Sequence, residues 1–243
     1  MKVSIFIPCF IDQIFPDTAR NMVKILQKVG CEVEYNPEQT CCGQPAFNAG
    51  FWQEAAKVAT KFVGDFEGVN TIVCPSGSCV GFIRNHYTKL FENNPVLQNK
   101  ATLLKPKIYE LAEFLIDVLQ VEDLKTTFEA RVTYHDACGA LRECEIKNAP
   151  RKLLANVKGL QLQEAKNCET CCGFGGTFAV KFEAISTSMA EQKIENILAS
   201  TQNVDYIIST DLSCLMHLDG YIKKHKLPLK TMHIADVLAY NMH

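Results

Sequence analysis

A pair of adjacent cysteines followed by glycine occurs twice in this chain, as Thr40-Cys41-Cys42-Gly43 and Thr170-Cys171-Cys172-Gly173. Neighbouring side chains diverge on a regular strand or helix. Only an irregular loop turns both sulfurs toward one centre, and glycine supplies the left-handed backbone such a loop needs. The second copy runs on as Gly173-Phe174-Gly175-Gly176, which adds freedom at Gly175 and Gly176. One such loop is an accident of composition. Two, about half a chain apart, indicate a duplicated unit that builds the same site twice.

The pattern around the loops repeats as well. Val3 to Pro8 is too uniformly apolar for a half-exposed strand and fits a buried one. Pro16 opens a helix through Ala19, Val23, Leu26 and Val29, and Glu32 to Tyr35 gives a second strand before the first Cys-Cys-Gly. Phe51 to Phe66 reads as a helix, Thr71 to Val73 as a third strand, and a helix through Phe82, His86 and Leu90 follows. A looser stretch then leads to a helix over Tyr109 to Leu119. The second half restarts with a strand over Arg131 to Tyr134, a helix opened by Pro150, and a strand over Leu160 to Leu162. The second loop is followed by a helix over Ala184 to Leu198, a strand over Val204 to Ser209 and a helix from about Leu215 to Lys224. Its closing Met232-His233-Ile234-Ala235 resembles the Tyr109-Glu110-Leu111-Ala112 of the first half. Strand alternating with helix predicts parallel βαβ units. The expected fold is therefore α/β: two duplicated lobes, each a small, mostly parallel sheet flanked by helices, related by a pseudo-two-fold. The lobes are expected at 1–120 and 130–243, joined by a linker at 121–129.

Composition narrows the chemistry. A formal net charge of −2 gives no strong pull toward nucleic acid or anionic membranes. No apolar run approaches the ~18 residues that span a bilayer, and the first residues read as a strand rather than a signal peptide, so a cytoplasmic location is expected. Twelve cysteines in 243 residues, spread through an ample apolar core, are unlike a small disulfide scaffold. In a reducing compartment they point to metal or redox work.

Aligning the halves sorts them. Cys9 corresponds to Cys138, Cys41 to Cys171, Cys42 to Cys172, and Cys79 to Cys214. The intervals agree: 32 residues from Cys9 to Cys41 and 33 from Cys138 to Cys171. Each quartet comes from the carboxyl end of a first strand, a glycine loop and the end of a third strand, and such ends gather on one edge of a parallel sheet. Four thiolates suit tetrahedral zinc or an iron–sulfur cluster, and thiols arriving singly and as an adjacent pair favour the cluster over the usual paired knuckles of structural zinc. Cys31, Cys144 and Cys168 have no mate and read as packed thiols. Cys74 also lacks a mate but stands near Cys79, a candidate fifth ligand.

The spacings Cys-x31-Cys-Cys-Gly-x35-Cys and Cys-x32-Cys-Cys-Gly-x40-Cys resemble the cysteine-rich CCG domain family, which includes the cluster-bearing component of heterodisulfide reductase, the iron–sulfur component of glycolate oxidase and the lactate utilization protein A group. The last resemblance is the fuller one: it extends to Cys74-Pro75-Ser76-Gly77-Ser78-Cys79, His135-Asp136-Ala137-Cys138, Pro150-Arg151-Lys152-Leu153-Leu154, Cys171-Cys172-Gly173-Phe174-Gly175-Gly176-Thr177-Phe178 and Met232-His233-Ile234-Ala235. It implies an iron–sulfur electron-transfer subunit of an L-lactate-oxidising system. The implied cofactor is a [4Fe–4S] cluster in the second lobe, with a cluster or zinc in the first. The implied partners are a ferredoxin-like iron–sulfur subunit and a third lactate-utilization protein. In the heterodisulfide reductases, Cys-x-x-Cys supplies an extra ligand. Here its first cysteine is replaced by Ser76 and by Asp211, which favours four-cysteine sites. A thiol or disulfide reductase subunit and a zinc-stabilised scaffold are the alternatives.

Behind the ligands, His135 is a candidate to donate a hydrogen bond to a cluster sulfur, and Gly43, Gly173, Gly175 and Gly176 shape the loops. Arg142 is a candidate to balance thiolate charge. No Walker sequence, no Rossmann glycine pattern after a strand and no nucleophile elbow occurs, so no catalytic residue is assigned. If the lobes pack face to face, both quartets should open into one crevice.

Overall fold

Buried strands and amphipathic helices organise the chain into two rounds; the computed structural model describes residues 1–242. The first round is β1 (Lys2–Ile5), α1 (Cys9–Ile14), α2 (Pro16–Lys28), β2 (Glu32–Tyr35), α3 (Gln44–Asn48), α4 (Trp52–Asp65), β3 (Ile72–Cys74), α5 (Gly77–Leu90), α6 (Pro95–Leu104), β4 (Ile108–Glu110) and α7 (Leu111–Glu113). The second is β5 (Thr127–Tyr134), α8 (Asn148–Ala155), β6 (Lys158–Leu162), α9 (Thr177–Lys181), α10 (Glu183–Ser200), β7 (Tyr206–Ser209), α11 (Leu212–Lys224), β8 (Lys230–His233) and α12 (Ile234–Leu238), with a π-helical turn (Gly139–Glu143) in the place of α1.

Each round makes a four-stranded sheet, in the orders β2-β1-β3-β4 and β6-β5-β7-β8, and every pairing is parallel. Parallel sheets require cover on both faces, and the central strands β3 and β7 are accordingly almost wholly buried. The lobes pack reciprocally, as a pseudo-two-fold demands: α2 lies against α12 where α8 lies against α7, and α1 meets α11 where the π-helical turn meets α5. One continuous apolar core crosses the junction, joining Val3, Ile25 and Leu115 to Val132, Ile208 and Val237. A second core, of Phe6, Phe62, Phe66, Phe82 and Tyr87, belongs to the first lobe alone. The junction is tight where Gly139 faces Ser78, because a Cβ on that glycine would stand 2.5 Å from the serine Cα.

The structure departs from the expected elements in several places. The stretch expected to be loose contains α6, whose signals were present: the Asn94 side chain accepts from Leu97 N at 3.2 Å as an N-cap, and Pro95 holds the first helical position. Tyr109 lies in a strand, not in a helix. β4 pairs with β3 through Val73 and Tyr109, and Glu110 then caps α7, after which a π-helical turn covers Phe114–Val118. Each sheet thus gains a fourth edge strand, β4 of three residues and β8 of four, too short for periodicity to announce. β5 is also longer than expected, beginning at Thr127.

Candidate metal centres

The four cysteines of each half meet. Beyond β1 the chain runs on through Pro8 to Cys9 at the start of α1, while Cys79 is the third residue of α5. Cys41 and Cys42 sit in the loop between β2 and α3. The second lobe places Cys138, Cys171, Cys172 and Cys214 in the same way. Exposure grades identically in the two sets: Cys9 and Cys138 are exposed, Cys41 and Cys171 half-buried, and Cys42, Cys79, Cys172 and Cys214 buried. Cys42 and Cys79 bring their sulfurs to 3.4 Å. All twelve cysteines are free thiols.

Glycine is required in both loops. Gly43 and Gly173 adopt φ of 94° and 93°. A Cβ would meet Ala55 O at 3.1 Å in the first loop and Ser186 O at 2.6 Å in the second. This conformation turns backbone donors onto sulfur: Gly43 N reaches Cys41 Sγ at 3.3 Å, Gly173 N reaches Cys171 Sγ at 3.4 Å, and Phe174 N reaches Cys172 Sγ at 3.4 Å. Gly175 and Gly176, with φ of 52° and 63°, carry the second loop into α9. Each loop is tied to a helix behind it. Tyr87 Oη donates to Cys42 O at 2.7 Å, and Ser186 Oγ donates to Gly173 O at 2.8 Å.

Packed thiols cannot all ionise together, so each quartet shares its protons. Hydrogen bonds from Cys42 and Cys9 hold Cys41 down at about 3, and bonds from Cys138 and Cys172 hold Cys171 down at about 2. Their partners Cys9, Cys42, Cys138 and Cys172 are pushed up by the same bonds and by burial. A multivalent cation in place of those protons relieves the conflict. The donor set of four sulfurs on a glycine-shaped loop therefore fits a thiolate-bound metal or iron–sulfur centre.

Both quartets line one cavity of about 470 Å³ between the lobes, together with Phe10, Phe174, Ser76, Ser78 and Asp211. Ser76 and Asp211, equivalent positions three residues ahead of Cys79 and Cys214, meet across the junction. Asp211 Oδ1 accepts from Ser76 Oγ at 2.9 Å, Ser78 Oγ at 2.7 Å and Ser78 N at 3.1 Å. One carboxylate thus joins the turns that carry Cys79 and Cys214. The sequence marked these two positions only as missing cysteines.

The remaining candidates are scattered. Cys74 is fully buried at the end of β3, its sulfur 3.7 Å from Ser76 O, and is not among the cavity-lining residues. Arg142 is exposed and reaches only Glu169 O, at 3.5 Å. Cys144 donates to Gly77 O across the junction at 3.5 Å. Cys31 is packed in the shared core.

His135 lies beside the second quartet, a ring nitrogen and the sulfurs of Cys172 and Cys214 all being within 4.8 Å of one another. Burial, then the nearby Lys193 ammonium, push this imidazole down to about 3, so it is neutral. Lys193 is 1% exposed, and its ammonium donates to the carbonyls of Asn167, at 3.3 Å, and Cys168 rather than to a carboxylate. Sequence reading passed over Lys193. The signal was a lysine in register with Ser186, Ala190 and Ile197 on the buried face of α10.

Comparison with known proteins finds the same duplication. The profile of the cysteine-rich domain family, CCG, matches residues 3–84 and 132–219. "Lactate utilization protein A" of Geobacillus sp. (strain WCH70) is 43% identical over 238 residues, covering 98% of this chain and 99% of the relative. The protein of the same name from Halalkalibacterium halodurans is also 43% identical over 238 residues, covering 98% and 96%. Among solved structures, a hypothetical protein from Helicobacter pylori superposes with a TM-score of 0.67 at 13% identity, over 99% of this chain and 49% of that one, a likeness of fold. With both halves matched and the relatives aligned almost end to end, the chain belongs to the cysteine-rich CCG domain family, with two copies of the domain in one polypeptide.

Proposed function

We propose that this chain is the iron–sulfur electron-transfer subunit of a cytoplasmic system that oxidises L-lactate to pyruvate. The observation that carries the reading is the shared cavity: two four-cysteine sites, one per domain copy, facing each other. Relatives at 43% identity bear the name lactate utilization protein A, which supplies the pathway. Cys9, Cys41, Cys42 and Cys79 hold the first centre, a cluster or zinc, and Cys138, Cys171, Cys172 and Cys214 hold the second, a [4Fe–4S] cluster. When bound, such clusters accept and donate single electrons.

The chain's own residues hold these groups and set their surroundings. The loop N–H groups of Gly43, Gly173 and Phe174 point at sulfur and favour the more negatively charged, reduced state of a centre. The Ser78–Asp211 hydrogen bond gives the two ligand-bearing turns a direct contact. Among the described residues no helix is long and apolar enough to cross a membrane. Electrons are exchanged with a ferredoxin-like iron–sulfur subunit and a third lactate-utilization protein, one of which supplies the lactate chemistry.

Anaerobic purification followed by iron, sulfide and zinc analysis tests the reading. Iron and acid-labile sulfide in matching amounts support it, together with lactate-dependent dye reduction that requires the partner proteins. Zinc without sulfide leaves a scaffold, and reduction of disulfides by the isolated, reduced protein makes it a thiol reductase.

A further inference from the structure

The imidazole of His135 is 1% exposed, and neither Nδ1 nor Nε2 has a hydrogen-bond partner. A buried polar ring with both nitrogens unsatisfied is a rare and costly arrangement, and it calls for an occupant. The available space is defined by sulfur, since a ring nitrogen and the Sγ atoms of Cys172 and Cys214 fall within 4.8 Å of one another. Metal–sulfur bonds of about 2.3 Å and metal–nitrogen bonds of about 2.0–2.1 Å set tetrahedral donors roughly 3.5–4 Å apart, so small side-chain adjustments bring these three onto one ion.

Duplication provides an internal control. Phe6 occupies the place of His135, for Phe6 N donates to Val73 O at 3.0 Å as His135 N donates to Ile208 O at 2.8 Å. The Phe6 ring packs edge-on against Phe62, with centroids 4.8 Å apart. Phe62 stands where Lys193 does in the other lobe, given that Gly43 faces Ala55 and Val58 as Gly173 faces Ser186 and Met189. The first lobe thus closes its floor with an apolar aromatic pair. In the second the same two positions hold an imidazole and a buried ammonium, groups that are unfavourable in a dry core unless something anionic or metallic faces them.

We propose that His135 is a direct ligand of the second-lobe centre, so that the chain holds an all-sulfur site in its first lobe and a mixed nitrogen–sulfur site in its second. The proposal rests on the reading that both quartets bind metal, but not on that metal being iron. Where the neutral imidazole takes the place of one thiolate on an iron–sulfur centre, that centre carries less negative charge than an all-thiolate one and has a higher reduction potential.

The test uses the full chain, stripped of metal, reduced, and loaded anaerobically with ¹¹³Cd(II) after labelling its histidines with ¹⁵N. Two cadmium resonances are expected. One lies at the all-thiolate position. The other is displaced toward nitrogen-containing sites and split by one-bond coupling to ¹⁵N, and His135→Gln abolishes the splitting while leaving the first-lobe resonance in place. The wild-type coupling stands by itself if that variant folds poorly. A second-lobe resonance that is unsplit, lies at the all-thiolate position, or is absent overturns the proposal. Iron and sulfide analysis of the native protein fails or succeeds separately: absence of iron together with a split cadmium signal removes the cluster reading and keeps the ligand.

Discussion

The first quartet rests on rings, and the second rests on charges. Beneath Cys42 the floor is Phe6, Phe62, Phe66, Phe82 and Tyr87, a dry aromatic core of edge-to-face contacts. Beneath Cys172 it is His135 and Lys193, with Asp136 clasped nearby by the two terminal guanidinium nitrogens of Arg151, each at 2.8 Å. The loops above are nearly superimposable in kind, with the same glycine φ, the same glycine N–H to sulfur bond and the same gradient of exposure. Duplication kept the loops that gather the thiols and changed what lies behind them. Backbone geometry has few solutions for four converging thiols, whereas the layer behind them needs only to fill space and is free to set charge.

The comparison breaks most visibly at the ligands. Cys172→Ser is expected to remove most bound iron and Cys42→Ser a smaller share, measured by metal analysis after anaerobic purification. Equal losses would mean that the two floors do not distinguish the sites.

Next come the floors themselves. Phe62→Ala empties a packed aromatic position and should destabilise the metal-free protein by about 3–5 kcal/mol in denaturant unfolding. At the equivalent position Lys193→Met replaces a buried cation with an apolar side chain of similar length, so the metal-free fold should be unchanged or firmer. A large loss of stability from the lysine change would make Lys193 a structural anchor rather than a counter-charge.

The loops sharpen the contrast by a smaller margin. Alanine at either glycine meets a strained left-handed backbone costing roughly 1–2 kcal/mol. Gly173→Ala should exceed Gly43→Ala, because its Cβ would approach a carbonyl oxygen at 2.6 Å rather than 3.1 Å. Thermal unfolding of the two variants reads the difference, and the reverse order would contradict the loop geometry.

The last contrast concerns a pair of equivalent caps. Glu110 accepts from Ala112 N at 2.7 Å as His233 Nδ1 accepts from Ala235 N at 3.1 Å. Burial pushes the Glu110 carboxyl up from 4.5 to about 8. Below 4.5 folded and unfolded chains both carry its proton. As pH rises toward 8 the unfolded chain releases that proton first, so this contribution to stability is lost across the interval. Glu110→Gln should flatten the decline in urea midpoints of the metal-free protein, and an unaltered pH profile would show that Glu110 does not govern it.

Much of this was legible from residue order alone. Apolar runs and proline and glycine punctuation located most strands and helices, because those signals act over a few residues. The doubled Cys-Cys-Gly and its matched intervals paired the eight cysteines, since a repeated spacing survives duplication. The sequence also carried two signals that went unread, the Asn94-Pro95 helix start and a lysine on the apolar face of α10. What only the tertiary structure decided lies where distant segments meet. Ser76 bonds to Asp211 over 135 residues of separation, and the π-helical turn at 139–143 seats against α5. β4 and β8 become strands only because a neighbouring edge is there to pair with. His135 looked like a group behind the ligands, and its two unpartnered nitrogens beside Cys172 and Cys214 came to light only in the packed lobe. Periodicity reports which face of an element is buried, but burial against a particular partner is a property of the assembled chain. That is why the converging cysteines could be counted from the sequence while their surroundings could not.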